Sequence, residues 1–86
     1  MQVEYQGKTY TVDDEALDDI DVFEDLMQIQ SGDVSPMKRV IEAIIGEDGY
    51  KTLKDSFRND KGRAKTTEVL QGFNAIMVAA GEDKKK

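Results

Sequence analysis

The chain contains no cysteine and no histidine, and these two absences limit its chemistry more than any other feature of its 86 residues. Without cysteine there is no disulfide and no thiolate ligand for a metal. Without histidine, the commonest general base and the commonest zinc ligand are also missing. The composition therefore predicts a non-enzymatic domain with no catalytic residues, no cofactor and no metal site.

Long apolar runs are also absent. The longest run, residues 75–80, is far shorter than the ~20 residues that span a bilayer. Residues 1–5 lack the basic start and apolar core of a signal peptide. We therefore expect a cytoplasmic protein that does not enter a membrane. A chain of this length predicts one domain, residues 1–81, followed by a frayed charged tail at 82–86.

Acidic side chains dominate the N-terminal part of the chain. The net charge is −6 at pH 7, yet residues 1–34 carry a net −9 and residues 35–86 a net +3. Eight of the thirteen residues 13–25 are Asp or Glu. Within them, Asp21 and Glu24 resemble the capping box of a helix start. The segment is typical of a solvated face, and it also suits a surface that attracts a basic partner.

The charged residues do not match known catalytic, calcium or nucleic-acid patterns. Acid–base catalysis needs two carboxyls in different environments within a cleft, whereas residues 13–21 are a polar stretch without apolar walls. An EF-hand loop needs a central glycine, and residues 19–24 contain Phe23 but no glycine. The net negative charge also opposes phosphate binding, so we expect no direct contact with nucleic acid. The only basic cluster comprises Arg58, Lys61, Arg63 and Lys65.

Residues 2–12 are predicted to form a β-hairpin. Its apolar members are Val3, Tyr5, Tyr10 and Val12. With Gly7 and Lys8 as a two-residue loop, the two tyrosines pair with each other, as do the two valines, and all four lie on one side. Glycine at the first loop position suits a type II′ turn. A lone hairpin is marginally stable in water, so we expect it to pack on helices or on another chain.

Apolar residues at helical spacing predict four short helices after the hairpin, and thus a mainly α fold: a compact bundle with an N-terminal hairpin. The clearest helix start is Ser35 as N-cap with Pro36 in the first turn, and Gly46 should end that helix. Gly81 should end the last helix, and Gly72 within it favours close packing against another helix. The predicted helices span about residues 18–30, 36–45, 47–58 and 66–80.

Large apolar side chains are too numerous for one small core. Some of them are therefore expected to lie on the surface and bind a partner, with methionine supplying an adaptable contact. The alternative is that all of them are buried. The candidate protein-binding residues are Phe23, Met27, Met37, Ile41, Phe57, Phe73 and Met77.

Four stretches share their order and apolar pattern with a known family. They are DVFEDL at 21–26 followed by GD at 32–33, VIEAIIG at 40–46, GYKTLK at 49–54, and the closing helix at 69–81. In this order they resemble the tail assembly chaperones of long-tailed siphophages and related prophages, in particular the small acidic product. The resemblance covers residues 18–81 and lies in an apolar pattern without a catalytic signature. The hairpin lies outside it.

The resemblance implies a non-enzymatic assembly factor. Such proteins bind the long tape measure protein, keep it soluble, help the major tail tube protein assemble around it, and are absent from the mature virion. Many are also made in a longer form by ribosomal frameshifting, and the terminal lysines 84–86 are compatible with an A-rich slippery site. The resemblance implies no individual site residue.

A second interpretation of the same sequence remains open. The chain is then a small acidic phage or bacterial regulator that binds a host protein or mimics nucleic acid, with the acidic residues 13–25 as its contact surface. Self-association is a further expectation, because a two-stranded hairpin has unpaired edges.

Overall fold

Two strands and four helices form in the part of the chain that the structure describes. The computed structural model describes residues 1–84, with side chains up to residue 81. Helices make up 63% of it, which confirms the predicted mainly helical fold with an N-terminal hairpin. The radius of gyration, 12.5 Å, is close to the ~12 Å of a compact chain of this length. The elements are β1 (Gln2–Tyr5), β2 (Lys8–Thr11), α1 (Asp14–Leu17), α2 (Ile20–Gln30), α3 (Met37–Ser56) and α4 (Thr66–Lys84).

The hairpin forms as predicted, but its predicted register is wrong. Val3 pairs with Tyr10 and Tyr5 with Lys8, so the two-residue loop is Gln6-Gly7 and not Gly7-Lys8. Both loop residues have positive φ, 51° and 78°, as a type I′ turn requires. That turn matches the right-handed twist of the strands, which explains why it replaces the predicted type II′ turn. The change of register still leaves Val3, Tyr5, Tyr10 and Val12 on one face of the hairpin.

One apolar core lies where the hairpin meets α3 and α4. β1 packs on α4 and β2 packs on α3, and α1 and α2 also contact α3. The first part of α3 therefore forms the centre of the domain. The largest fully buried side chains are Tyr10, Val12, Val40, Ile41, Ile44, Leu53 and Ile76.

Tyr10 is the only tyrosine among these fully buried side chains. Burial raises its pKa above 10.0, the neighbouring Tyr5 raises it further, and a hydrogen bond with Ser56 opposes the increase. The folded protein therefore holds the phenol neutral at a pH where the unfolded chain ionises it. Its contribution to stability is complete below pH 10 and is lost as the pH rises through the raised pKa.

We expect Tyr10→Phe to reduce the loss of stability at alkaline pH. The free energy of unfolding, measured in urea at pH 8 and at pH 11, should fall less in the variant than in the wild type, because the variant has no buried phenol to ionise. At pH 8 the variant should be about 1 kcal/mol less stable through loss of the Ser56 hydrogen bond. An equal alkaline decrease in both proteins would contradict this role of Tyr10.

Aspartates begin both N-terminal helices. The carboxylate of Asp13 accepts hydrogen bonds from the backbone N–H groups of Glu15 (3.0 Å) and Ala16 (3.4 Å), and so caps α1, a helix that the sequence pattern did not predict. Asp19 caps α2 in the same way, accepting from the N–H of Asp21 at 2.8 Å. The predicted capping box is therefore wrong, because Asp21 already lies inside the helix.

Helix α3 begins one residue later than predicted. Pro36 occupies the N-cap position without a side-chain cap, so the predicted role of Ser35 is wrong. The reason is a turn in which the Met37 N–H donates to the carbonyl of Val34 at 3.0 Å. The Ser35 N–H donates to the Asp33 carboxylate within this turn.

Gly46 interrupts α3, as predicted. Its φ of 80° and ψ of 167° are open to glycine and strained for other residues, so the chain forms two helical halves, 37–45 and 47–56. The carbonyl of Ile44 accepts instead from the N–H of Asp13 at 2.8 Å. The break thereby ties α3 to the end of the hairpin.

Helix α4 continues through Gly81 to Lys84, so its predicted end at Gly81 is wrong. The predicted close packing at Gly72 is supported, because a Cβ there would lie 2.8 Å from Phe57 Cε2 and 3.1 Å from Leu53 Cδ1. The helices α3 and α4 therefore approach closely at Gly72. The predicted fraying of residues 82–86 stays a prediction. It concerns the side chains of residues 82–84 and the whole of residues 85 and 86, which lie outside the described part of the chain.

Candidate functional site

Helix α2 presents apolar side chains to solvent as well as to the core. Ile20, Phe23 and Met27 are 66%, 54% and 55% exposed, although each is a large apolar residue. On the inner side, Val22, Leu26 and Ile29 are partly buried against the core. No residue of α2 is fully buried.

The two apolar rows arise because α2 packs mainly on one helix, α3, with a smaller contact to α1. A helix turns by about 100° per residue, so Ile20, Phe23 and Met27 share a face that is rotated away from Val22 and Ile29. Helix α2 packs on α3. One of its rows therefore faces the core, and the other has no cover within the described chain.

A groove runs between α2 and α4. Both helices pack on α3, and about 270 Å³ of open space lies between them. Its walls are apolar side chains of both helices, with polar side chains beside them that are exposed on the surface. Phe23 and Met27 lie within one helical turn of Leu26 and Gln30 on α2, so the exposed row adjoins the groove. The groove is lined by Leu26, Ile29, Gln30, Leu70, Phe73, Asn74 and Met77.

The candidate protein-binding residues lie in three different environments. Phe23 and Met27 are exposed. Phe73 and Met77 line the groove, although Phe73 also belongs to the core. The other three candidates face the core, with Ile41 completely buried and the remaining two partly buried; they are Met37, Ile41 and Phe57.

Sequence reasoning did not single out the α2 wall of the groove. Leu26, Ile29 and Leu70 lie within the predicted first and last helices, but they were not among the candidate binding residues. Periodicity shows which residues share the apolar face of a helix. The distance between two helices depends instead on the third helix that both contact. Ile20, Val34 and Val78 are further exposed apolar residues that were not candidates.

Several acidic residues of the segment 13–25 have structural roles. Asp13 and Asp19 cap helices. Asp25 accepts two hydrogen bonds from the guanidinium of Arg39, both at 2.9 Å, and so joins α2 to α3. Among the described residues, no group of three or more acidic side chains is placed to hold a metal ion. The exposed Glu24 lines a shallow depression between α2 and α3, together with Asp25 and Arg39.

The basic residues of the predicted cluster lie in the loop between α3 and α4. Arg58 donates to the Asp55 carboxylate at 2.7 Å and to the carbonyl of Gly62 at 2.9 Å. The hydrogen bond from Arg58 holds the pKa of Asp55 below its usual value. The side chain of Asn59 caps the loop by accepting from the N–H groups of Lys61 and Arg63. The loop is therefore an ordered, polar connection.

Comparison with known proteins finds no match to this chain. No protein-family model, no curated protein and no solved structure matches it. The resemblance to tail assembly chaperones therefore stays a prediction from the sequence pattern. Among residues 1–84, no helix is both long enough and apolar enough to cross a bilayer.

Proposed function

We propose that this chain is a non-enzymatic protein-binding domain that acts as a phage tail assembly chaperone in the cytoplasm of the host cell. In this role it binds tape measure protein, keeps it soluble and helps the major tail tube protein assemble around it. The sequence resemblance supports the biological role. The apolar surface of α2 and the groove beside it support the physical mechanism.

The observation that carries this proposal is the exposed pair Phe23 and Met27 next to an apolar groove. Burying the exposed halves of these two side chains against a partner contributes roughly 2–3 kcal/mol. A groove between two helices suits an amphipathic helix, which lays its apolar face between them. Covering such faces on tape measure protein prevents their association with one another, and the acidic surface of the chaperone keeps the complex soluble.

Co-expression with tape measure protein tests the proposal. The wild-type chain should raise the soluble fraction of tape measure protein and co-purify with it. The double variant Phe23→Ser, Met27→Ser should weaken the complex about 30-fold or more, since 1.4 kcal/mol corresponds to tenfold. Its free energy of unfolding should change by less than about 1 kcal/mol, because both side chains are largely exposed.

Val34→Ser is the matched control, because Val34 is also exposed but lies in the turn before α3. This variant should bind tape measure protein like the wild type. Absence of any complex with the wild-type chain, together with no gain in tape measure solubility, would refute the proposed function.

A second candidate function is that of an acidic regulator that binds a basic surface of a host protein or mimics nucleic acid. It is favoured by the exposure of seven of the eight acidic residues in the segment 13–25. This function predicts binding that falls steeply with salt and does not need Phe23 or Met27. Neutralising Glu15, Asp18 and Asp21 as amides would then abolish binding to the host protein. A chaperone that binds through its apolar surface should instead retain most of its affinity for tape measure protein.

A further inference from the structure

Strand β2 has a free edge on the side away from β1. Met1 and Val12 exchange two backbone hydrogen bonds, of 2.7 and 3.0 Å. Along an antiparallel ladder, such pairs alternate with pairs whose N–H and C=O groups point outward. Thr11 and Thr9, one and three residues before Val12, therefore point these groups away from β1. Among the described residues, no backbone group outside the hairpin bonds to the backbone of either threonine.

An open trough, the β2 trough, runs along this free edge. It has a volume of about 520 Å³ and is lined by residues 9–11 of β2 and, across from them, by residues 45–49 and Thr52 of α3. Gly46 and Gly49 keep this wall low, and a Cβ built at Gly46 would meet no atom within 4 Å. The charged residues of the lining are Glu47 and Asp48, which are both exposed. The trough therefore combines unpaired main-chain groups on one side with negative charge on the other.

A second copy of this chain does not suit the β2 trough. In a twofold dimer β2 would pair with β2, and the walls of both troughs would lie near the same axis. Glu47 and Asp48 of the two copies would then approach one another, and like charges oppose such a contact. The acidic wall favours instead a cationic side chain on the incoming strand.

We propose that the β2 trough binds an extended segment of another protein, which adds a third strand to the hairpin and carries a lysine or arginine facing Glu47 and Asp48. The outward N–H and C=O groups of Thr9 and Thr11 pair with the main chain of this segment, which supplies the affinity, and the cation supplies selectivity. The proposal is independent of the proposed function, because the exposed face of α2 and the groove beside it take no part in it.

Three synthetic peptides of about eight residues test the occupant. The first alternates threonine and valine around a central lysine, the second has glutamate in place of the lysine, and the third is the lysine peptide with every threonine and valine amide N-methylated. In NMR titrations the lysine peptide should shift the amide signals of Thr9 and Thr11. At low salt it should bind about fivefold more tightly than the glutamate peptide and at least about tenfold more tightly than the N-methylated one, which has lost its donors. Equal affinity of the lysine peptide and either of the others would overturn the proposal.

Proline at the free edge tests the location. Thr11→Pro removes an outward N–H and leaves the ladder to β1 intact, so it should weaken the lysine peptide at least about fivefold. The matched control is Gln2→Pro, at the position that pairs with Thr11, because its N–H points outward from the opposite edge of the hairpin. The control should change the affinity less than about twofold. Equal weakening by both variants would refute the site. Urea unfolding checks that both fold, and the N-methylated peptide tests the same hydrogen bonds on the unchanged chain.

Charge variants test the role of the cation. Glu47→Gln with Asp48→Asn should bring the affinities of the lysine and glutamate peptides to within about twofold of each other. Asp60→Asn with Glu68→Gln neutralises two exposed acidic residues outside the trough and should leave the preference for lysine unchanged. An undiminished preference in the first variant would overturn the assignment of the cation to this wall. A dimer in analytical ultracentrifugation that Thr11→Pro dissociates would show that a second copy occupies the trough, and would overturn the proposed occupant.

Discussion

Replacing Ile41 by alanine is expected to lower the free energy of unfolding by about 2–5 kcal/mol. Ile41 is completely buried in the first half of α3, the helix that the hairpin and the other helices contact. Truncating it removes buried methyl groups and leaves a cavity that the surrounding elements cannot fill without moving. A domain of this size has a stability near the low end of ~5–15 kcal/mol, so the loss is a large share of the total.

Urea unfolding monitored by circular dichroism measures this effect. The midpoint should fall while the dependence on denaturant stays unchanged. Phe23→Ala provides the contrast, because Phe23 is more than half exposed and its truncation should cost less than about 1 kcal/mol. If both variants lost the same stability, Ile41 would not be the core residue that its burial indicates.

Gly72→Ala is expected to destabilise the protein, although alanine is the better helix former. The gain in helix propensity is up to ~1 kcal/mol. It is opposed by a Cβ placed 2.8 Å from Phe57 Cε2 and 3.1 Å from Leu53 Cδ1. Leu53 is completely buried and cannot move aside without displacing its neighbours. Overpacking of this kind costs roughly 1–3 kcal/mol, so we expect a net loss of about 1–2 kcal/mol.

Gly81→Ala is the matched control in the same helix. No atom lies within 4 Å of a Cβ built at Gly81, so only the helix propensity changes. This variant should gain up to ~1 kcal/mol, which gives the two substitutions opposite signs in thermal or urea unfolding. Stabilisation by both would show that α3 and α4 are not in close contact at Gly72.

The close approach of α3 and α4 at Gly72 also matters for the groove. The opposite wall belongs to α2, which packs on α3 and not on α4. A shift of α4 by a new side chain at position 72 therefore changes the spacing between Leu26 and Met77. Gly72, although it lies in the contact between α3 and α4, therefore also affects the width of the groove.

The sequence by itself determined the features that depend on local chemistry. The alternation of apolar residues in the hairpin and the helical spacing around Ile41 and Ile76 predict elements that the structure contains. Gly46 interrupts α3 as predicted, because its conformation is a property of glycine itself. The apolar spacing of strands and helices is likewise visible in residues that are close together in the sequence.

The tertiary structure decided what depends on neighbours that are distant in sequence. Tyr5 pairs with Lys8 because the Gln6-Gly7 turn fits the strand twist, and α4 continues through Gly81 where the pattern predicted an end. Most clearly, the apolar residues of α2 divide into a partly buried row that faces the core and an exposed row. Periodicity identifies an apolar face, but only the position of α3 and α4 determines which part of that face is core and which part, Phe23 and Met27, is open to a partner.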